Sequence, residues 1–351
     1  MTPVELSRTV LHAVRRAVDE GELAVALLPE RVVVAPPGPG GCGDYATNVA
    51  LQLARPAGKP APAVAELLRT RLLRTDGIHD VVVTGPGFLN ISLAGGADAR
   101  LARLVRDILR AGPRYGHTDD LAGQAPALHA APEVRALVLM DSVARVLRSQ
   151  GARPRLYCAQ PPDPTWVTHL GLTTAITLGP GTDTPLRPVP APADPTPLGR
   201  DAARWALLLP APHDHPRIGD EHLAQRESNP LFRVRYAHAR VRALLRNAAD
   251  LGFTPEPGPL ASDGDTRAVI QLLADHPRVL AATAAHRAPD RLARHLVAVA
   301  DALAPLLPSV LPLGDEKPSA AHRARLALAE AAGTVLAGGL TLLGIDAPDH
   351  L

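Results

Sequence analysis

Three polar side chains recur on one face of a predicted helix that spans residues 229–246. Arg233, Tyr236 and Arg240 follow at steps of three and four residues, so a helix of 3.6 residues per turn places them side by side. One aromatic ring between two planar cations suits unpaired bases and phosphates. The alternative is an ordinary solvated helix face with a half-buried tyrosine, and the stretch alone favours that alternative.

The helix that must position these side chains has clear sequence signals. Asn229 followed by Pro230 is typical of a helix start. Apolar residues at steps of three and four predict a buried stripe on another face, formed by Val234, Ala237, Val241, Leu244 and Ala248.

A glycine motif offers a competing hypothesis near the N-terminus. Gly38, Gly40 and Gly43 satisfy G-x-G-x-x-G between a predicted strand and a predicted helix. The interleaved prolines remove backbone N–H donors that would hold a pyrophosphate, and Glu66, the acid that follows, falls within a helix. We therefore do not expect dinucleotide binding.

Metal and cofactor sites are not expected either. The two cysteines, Cys42 and Cys158, form no CxxC pair, and no Cys/His cluster has zinc spacing. His213 and His215 lie in a proline-flanked loop and lack a third ligand.

Composition permits an RNA partner without requiring one. The chain has 351 residues, 46% hydrophobic content, a net charge of +2 and a pI of about 8.7. All but two of its basic residues are arginines. We expect a cytoplasmic protein, with no membrane span, no signal peptide and no DNA partner.

The pattern of elements predicts three regions of different fold class. Residues 1–112 are expected to form an α+β domain, with strands at 31–35, 79–84 and 88–94 and a helix over 45–54. Residues 113–222 are expected to form a reduced α/β region with a proline-rich segment at 180–198 and a helix from Pro132. Residues 223–351 are expected to form an all-α helical bundle.

Three ordered stretches resemble arginyl-tRNA synthetases. "GDYATNVALQLARPAGKP" and "GPGFLNISL" are similar to that family's N-terminal additional domain. "GRDAARWALLL" followed by "ESNPLFRVRYAHARV" resembles the passage into its anticodon-binding domain, and "ARLALAEAAGTVLAGGLTLLGIDAP" resembles its last helices. The resemblance covers residues 1–112 and about 198–351, and covers the intervening region poorly.

The resemblance implies which residues contact tRNA. Tyr236 and Arg240 inherit a role in contacting the anticodon stem-loop, whereas Arg233 departs from the family's usual aromatic residue. Phe88 and Asn90 match positions in a domain that contacts the tRNA elbow, as a stacking ring and an amide able to bind a base edge. A buried phenylalanine and a strand asparagine are the structural alternative. Asn48 matches a family hallmark, with a helix-start or loop-bracing role as its alternative.

The same resemblance implies that the catalytic motifs are lost. Where the family has a His-Ile-Gly-His-like turn, only His129 remains, and Pro132 with Glu133 opens the helix. Proline removes an N–H group and glutamate adds a negative charge where a triphosphate would lie. The stretch that corresponds to the lysine-rich mobile loop has Arg187 and no lysine.

The sequence therefore predicts a catalytically inactive arginyl-tRNA synthetase paralogue that binds tRNA as an adaptor, regulator or delivery factor, with no catalytic residues of its own. A protein partner is left open. One alternative is an interaction scaffold that has lost tRNA binding. Another is an aminoacyl-transfer enzyme completed by a partner, with His129 or Asp141 in a new role.

Overall fold

The protein is described by a computed structural model that covers residues 1–25, 27–38, 41–94, 97–172, 176–179, 184–260 and 264–351. Parts of two predicted features, Gly40 of the glycine motif and residues 180–183 of the proline-rich segment, lie outside these ranges. The chain forms two compact units, Met1–Arg100 and Leu101–Leu351.

The first unit combines three helices with an antiparallel sheet. Its helices are α1 (Pro3–Asp19), α2 (Val49–Ala54) and α3 (Ala61–Leu72), and its strands are β1 (Tyr45–Thr47), β2 (Ile78–Thr84) and β3 (Phe88–Leu93). The strand order is β1-β3-β2. Alternation along β3 buries Leu89, Ile91 and Leu93 in the core of this unit.

Two details of the first unit differ from the sequence prediction. Residues 31–35 form no extended strand, because only Ala35 pairs, in an isolated bridge with Ala46. The predicted helix at 45–54 begins as the short strand β1 and becomes helical only at Val49. In both places the apolar run is short, and such a run is compatible with a strand or with a helix.

The boundary between the two units falls within α4 (Ala97–Ala111), and the second unit contains a small parallel sheet. Its strands are β4 (Ala127–Ala130), β5 (Arg155–Cys158), β6 (Thr177–Leu178) and β7 (Thr184–Leu186), in the order β6-β5-β4-β7. Helix α5 (Val134–Ser149) connects β4 with β5, and the short α6 (Pro164–His169) follows β5. A reduced α/β core is thus present, as predicted.

The rest of the second unit is helical. It consists of α7 (Gly199–Leu208), α8 (Pro230–Asp250), α9 (Gly264–His286), α10 (Pro289–Leu303) and α11 (Ala320–Leu343). One continuous core joins these helices to α5 and the parallel sheet. The predicted helical bundle is confirmed. The three-region division at 112 and 222 stays a prediction.

Helix α11 is long and apolar enough to span a membrane by length and composition. The expectation of no membrane span stays a prediction. However, 78% of its most apolar window is buried inside the protein. This burial is what a core helix of a bundle shows.

Candidate nucleic-acid interface

Helix α8 is anchored at its start by the predicted cap. The Asn229 side chain accepts a hydrogen bond from the Leu231 N–H (3.0 Å), and its amide donates to the carbonyls of His222 and Ala224, at 2.9 Å each. Every member of the predicted apolar stripe is buried. The cap and the stripe together fix which residues of α8 reach solvent.

Most arginines of α8 already have a partner. Arg233 donates to both carboxylate oxygens of Asp301 on α10, at 2.7 and 2.8 Å. Arg235 lies 3.7 Å from a carboxylate oxygen of Asp201. The guanidinium of Arg242 binds Asp349, and that of Arg246 lies 3.4 Å from His350 Nδ1.

Arg240 differs from these four arginines. It is exposed and forms no ion pair with any residue in the described ranges. One turn earlier lies Tyr236, which is 49% exposed, and its ring stacks on Phe232 with a centroid distance of 5.5 Å. We call Phe232, Tyr236 and Arg240 the aromatic stripe. It presents an open ring face next to an unneutralised guanidinium.

The structure thus revises the membership of the predicted face. It brings Phe232 beside Tyr236 and ties Arg233 to another helix. The i, i+4, i+8 spacing of Phe232, Tyr236 and Arg240 is visible in the sequence, but Phe232 is apolar and so does not belong to the predicted polar face. A cavity of about 310 Å³ opens beside the start of α8, and Phe232, Arg235 and His222 contribute to its walls.

The predicted pair on β3 is divided between surface and interior. Phe88 follows a tight turn and is 40% exposed. Asn90, on the same side of the strand, is only 2% exposed. Its amide donates to Thr84 Oγ1 (2.7 Å) and the Val82 carbonyl (3.3 Å), while its oxygen accepts from the Cys42 N–H. Asn90 therefore braces the loop before β1 and offers no free amide at the surface.

Asn48 also has a local role. Its side-chain oxygen accepts a hydrogen bond from the Gln52 amide at 2.9 Å, one turn along α2. The side chain is exposed and does not cap the helix. This contact lies within the first turn of α2, as in the helix-start alternative, and it joins no loop.

The start of α5 carries an internal carboxylate. Glu133 is the N-cap, and its side chain accepts from the N–H groups of Arg135 (3.0 Å) and Ala136 (2.9 Å). The Ala191 N–H donates to the same carboxylate at 3.1 Å. Backbone N–H groups at a helix start commonly bind phosphate, and here those of Arg135 and Ala136 already donate to the Glu133 carboxylate. His129, on β4, has a buried Nε2 with no hydrogen-bond partner among the described residues.

Behind this helix start, Arg135 is held by backbone carbonyls. Its guanidinium, 1% exposed, donates to five of them at 2.7–3.2 Å, those of Val189, Leu207, Pro210, Ala211 and Asp214. Burial lowers the pKa of Arg135. The side chain thus fastens α5 to the segment that contains "PHDHP", so it is structural rather than free to bind a ligand.

Asp141 is likewise committed to structure. Its carboxylate accepts from the Arg204 guanidinium at 2.6 Å and from Arg145 at 2.9 Å. Burial raises the pKa of Asp141, but the two arginines outweigh burial and leave that pKa below its ordinary value. A carboxylate held ionised by two cations is a weak general base, which speaks against the proposed new role for Asp141.

The residues weighed for metal binding lie apart or at the surface. His213 is exposed, with its Nε2 atom 3.7 Å from Asp214, and Cys42 is exposed whereas Cys158 is buried. Within the described ranges, no group of three or more His, Cys, Asp or Glu side chains is placed to hold a metal ion.

Two protein-family models match the chain. The arginyl tRNA synthetase N terminal domain matches residues 5–93, and the DALR anticodon binding domain matches residues 234–351. The arginine–tRNA ligase of Renibacterium salmoninarum is 42% identical over 165 residues, which cover 43% of this chain and 29% of that ligase. The ligase of Frankia alni is 46% identical over 117 residues, 33% of this chain and 20% of the ligase. The matches therefore span less than a third of each relative.

Solved structures share the fold at low identity. Arginyl-tRNA synthetase from Thermus thermophilus gives a TM-score of 0.65 at 16% identity, and that from Plasmodium falciparum gives 0.63 at 9%, each covering 100% of both chains. A putative arginyl-tRNA synthetase from Campylobacter jejuni gives 0.54 at 12%, covering 73% of this chain and 100% of that one. The chain is thus related to arginyl-tRNA synthetases, and its two matched domains indicate a function connected with tRNA.

Proposed function

We propose that this arginyl-tRNA synthetase-related chain binds tRNA through the aromatic stripe of α8 and does not itself ligate arginine to it. The observation that carries the proposal is the open ring of Tyr236, stacked on Phe232 beside Arg240, which has no ion-pair partner among the described residues. Stacking a base on an aromatic side chain contributes about 1–3 kcal/mol, and a neighbouring guanidinium adds phosphate or cation–π contacts.

Phe88 is the second proposed contact. Its half-exposed ring stands at the end of a hairpin in the first unit, where it can stack on an unpaired base. We do not include Asn90 or Arg233 in the proposed surface, because each side chain already satisfies partners within the protein.

The absence of ligase activity is proposed from the start of α5. The Glu133 carboxylate occupies the N–H groups that would meet a phosphate, and a second negative group there would be repelled. Lysines that could stabilise a leaving pyrophosphate are also missing, since the chain has lysine only at positions 59 and 317. We propose that the protein acts in the cytoplasm as an adaptor, regulator or delivery factor for arginine tRNA or a relative.

The test is a titration of the protein with tRNA-Arg and unrelated tRNAs at two salt concentrations. Tyr236→Ala and Arg240→Ala are expected to weaken binding, and affinity is expected to fall steeply with salt because phosphate contacts release counterions. The matched control is Arg148→Ala, which removes another exposed arginine, from α5. Loss of a single stacked base corresponds to roughly a fivefold to hundredfold decrease in affinity.

The alternatives give different results. A scaffold that has lost RNA binding would show equal, background affinity for tRNA in all four proteins and a stable complex with a protein. A ligase would show ATP-dependent arginine activation by the isolated protein, and that result would overturn the proposal of inactivity.

A further inference from the structure

The segment that follows α11 lies along a second face of α8. Three successive residues contact positions one turn apart on that helix. The Pro348 carbonyl lies 3.0 Å from His238 Nδ1, Asp349 binds the Arg242 guanidinium at 2.9 and 3.4 Å, and His350 lies 3.4 Å from Arg246. We call residues 346–350 the cover segment.

The contact between Asp349 and Arg242 has the form of a phosphate contact. A carboxylate presents two oxygens to the fork of a guanidinium, and a phosphate presents two oxygens in the same way. Hydrogen bonds from Arg242 lower the pKa of Asp349, so this carboxylate is ionised at neutral pH. It therefore occupies the cation as an anionic ligand would.

The last two residues of the cover segment, Asp349 and His350, are held weakly enough to be displaced from α8. The Arg242 and Asp349 side chains are 46% and 50% exposed, and ion pairs at such exposure contribute about 0–1 kcal/mol. His350 is exposed as well. A ligand with several phosphates in a row can compete with one carboxylate at this position.

The covered face adjoins the aromatic stripe. Ten residues separate Tyr236 from Arg246, which corresponds to about 15 Å along the helix and about 80° around it. The half-exposed Ala243 lies between them on the helix surface. A nucleic-acid strand stacked on Tyr236 and continuing along α8 would thus reach the arginines that the cover segment occupies.

We propose that the cover segment is an internal competitor that occupies Arg242 and Arg246 of α8 and is displaced from them by a row of phosphate groups. The proposal builds on the proposed binding of tRNA and specifies a second part of its contact surface. The ligand chemistry is a phosphate oxyanion series, which RNA and inorganic polyphosphate share.

The test compares Asp349→Asn with the wild type, using inorganic polyphosphate and tRNA as separate probes. Asp349→Asn is expected to bind both about two to five times more tightly at low salt. The slope of log affinity against log salt is expected to steepen by about 0.7–0.9, as for one added phosphate contact. The gain is expected to vanish in an Arg242→Gln background, where the exposed cation is gone.

Asp315→Asn is the matched control. Asp315 is exposed and has no ion-pair partner in the described ranges, so the substitution changes net charge by the same amount. It lies in the loop before α11, whereas the α11 residues next to Arg242 and Val241 are Glu330 and Gly333, at least ten residues or about 15 Å further along that helix. An effect of net charge alone would appear equally in both variants.

The outcomes separate this proposal from the preceding one. If Asp349→Asn and Asp315→Asn behave alike in affinity and slope, the cover segment does not compete with phosphates. If Asp349→Asn binds polyphosphate more tightly while Tyr236→Ala leaves tRNA binding unchanged, the competitor stands and base recognition by the aromatic stripe fails.

Discussion

Replacing Asp141 by asparagine tests how much the buried ion pair between Asp141 and Arg204 stabilises the second unit. Asp141 and Arg204 have side chains that are 3% and 0% exposed, and their closest N–O distance is 2.6 Å. Arg204 also donates to the carbonyls of Leu343 (2.8 Å) and Leu170 (3.0 Å), so it joins α5, α7 and the end of α11. Asparagine keeps the size of the side chain but removes its charge.

The expected loss of stability follows from the interactions that Arg204 keeps and the charge that it loses. Arg204 would keep its carbonyl partners but would lose its compensating charge in a site from which water is excluded. Breaking a buried pair by removing one partner costs about 3–5 kcal/mol, and we expect the lower end because asparagine still accepts one hydrogen bond. For a unit of this size, about 3 kcal/mol corresponds to a decrease in Tm of roughly 6–12 °C.

Tryptophan fluorescence during urea unfolding gives the measurement. Both tryptophans, Trp166 and Trp205, lie in the second unit, so the signal reports on that unit alone. Arg145→Gln is the control, because Arg145 is partly exposed and its loss leaves the Asp141–Arg204 pair intact. The control should cost less than about 1 kcal/mol. If Asp141→Asn also costs less than that, the pair does not hold the unit together.

Two further predictions use the same fluorescence measurement. Burial lowers the pKa of His276 well below its ordinary value and that of His295 to about 4, so both rings stay neutral in the folded state, whereas the unfolded chain binds protons below pH 6.5. The free energy of unfolding should therefore fall from pH 6.5 towards 4, by about 3 kcal/mol for His295. His295→Leu should reduce that slope. Gly344→Ala should lower the free energy of unfolding more than Gly252→Ala does. Both glycines have φ near +75°, but a Cβ at 344 would lie 2.4 Å from the Arg204 guanidinium, whereas one at 252 meets nothing within 4 Å. Equal losses of stability in the two variants would contradict this explanation.

Sequence patterns predicted the structural features that depend on residues close together along the chain. The start of α8 at Asn229, its buried stripe and the strands at 79–84 and 88–94 all follow from local spacing, and the structure contains them. Secondary structure is least certain in short apolar runs, and residues 31–35 show this, since the run forms one bridge in place of a strand.

The candidate site was less predictable because partners come from distant parts of the chain. Arg233 was expected to face a ligand, but Asp301, on another helix, binds it with both oxygens. Asn90 was expected to contact a base, but the loop at Cys42 covers it. No spacing rule within α8 or β3 encodes these contacts, since each depends on tertiary packing.

The distribution of arginine partners explains why the number of arginines says little about binding here. Arg135 and Arg204 are fully buried and serve carbonyls and one carboxylate, so their charge never reaches the surface. Four arginines of α8 contact Asp201, Asp301, Asp349 or His350, whereas Arg240 has no such partner among the described residues. Electrostatic attraction for RNA depends on the cations that remain available to phosphates, so the number of arginines does not by itself predict affinity. The proposed binding of tRNA depends on where such cations lie relative to stacking rings, and the position beside Tyr236 combines both.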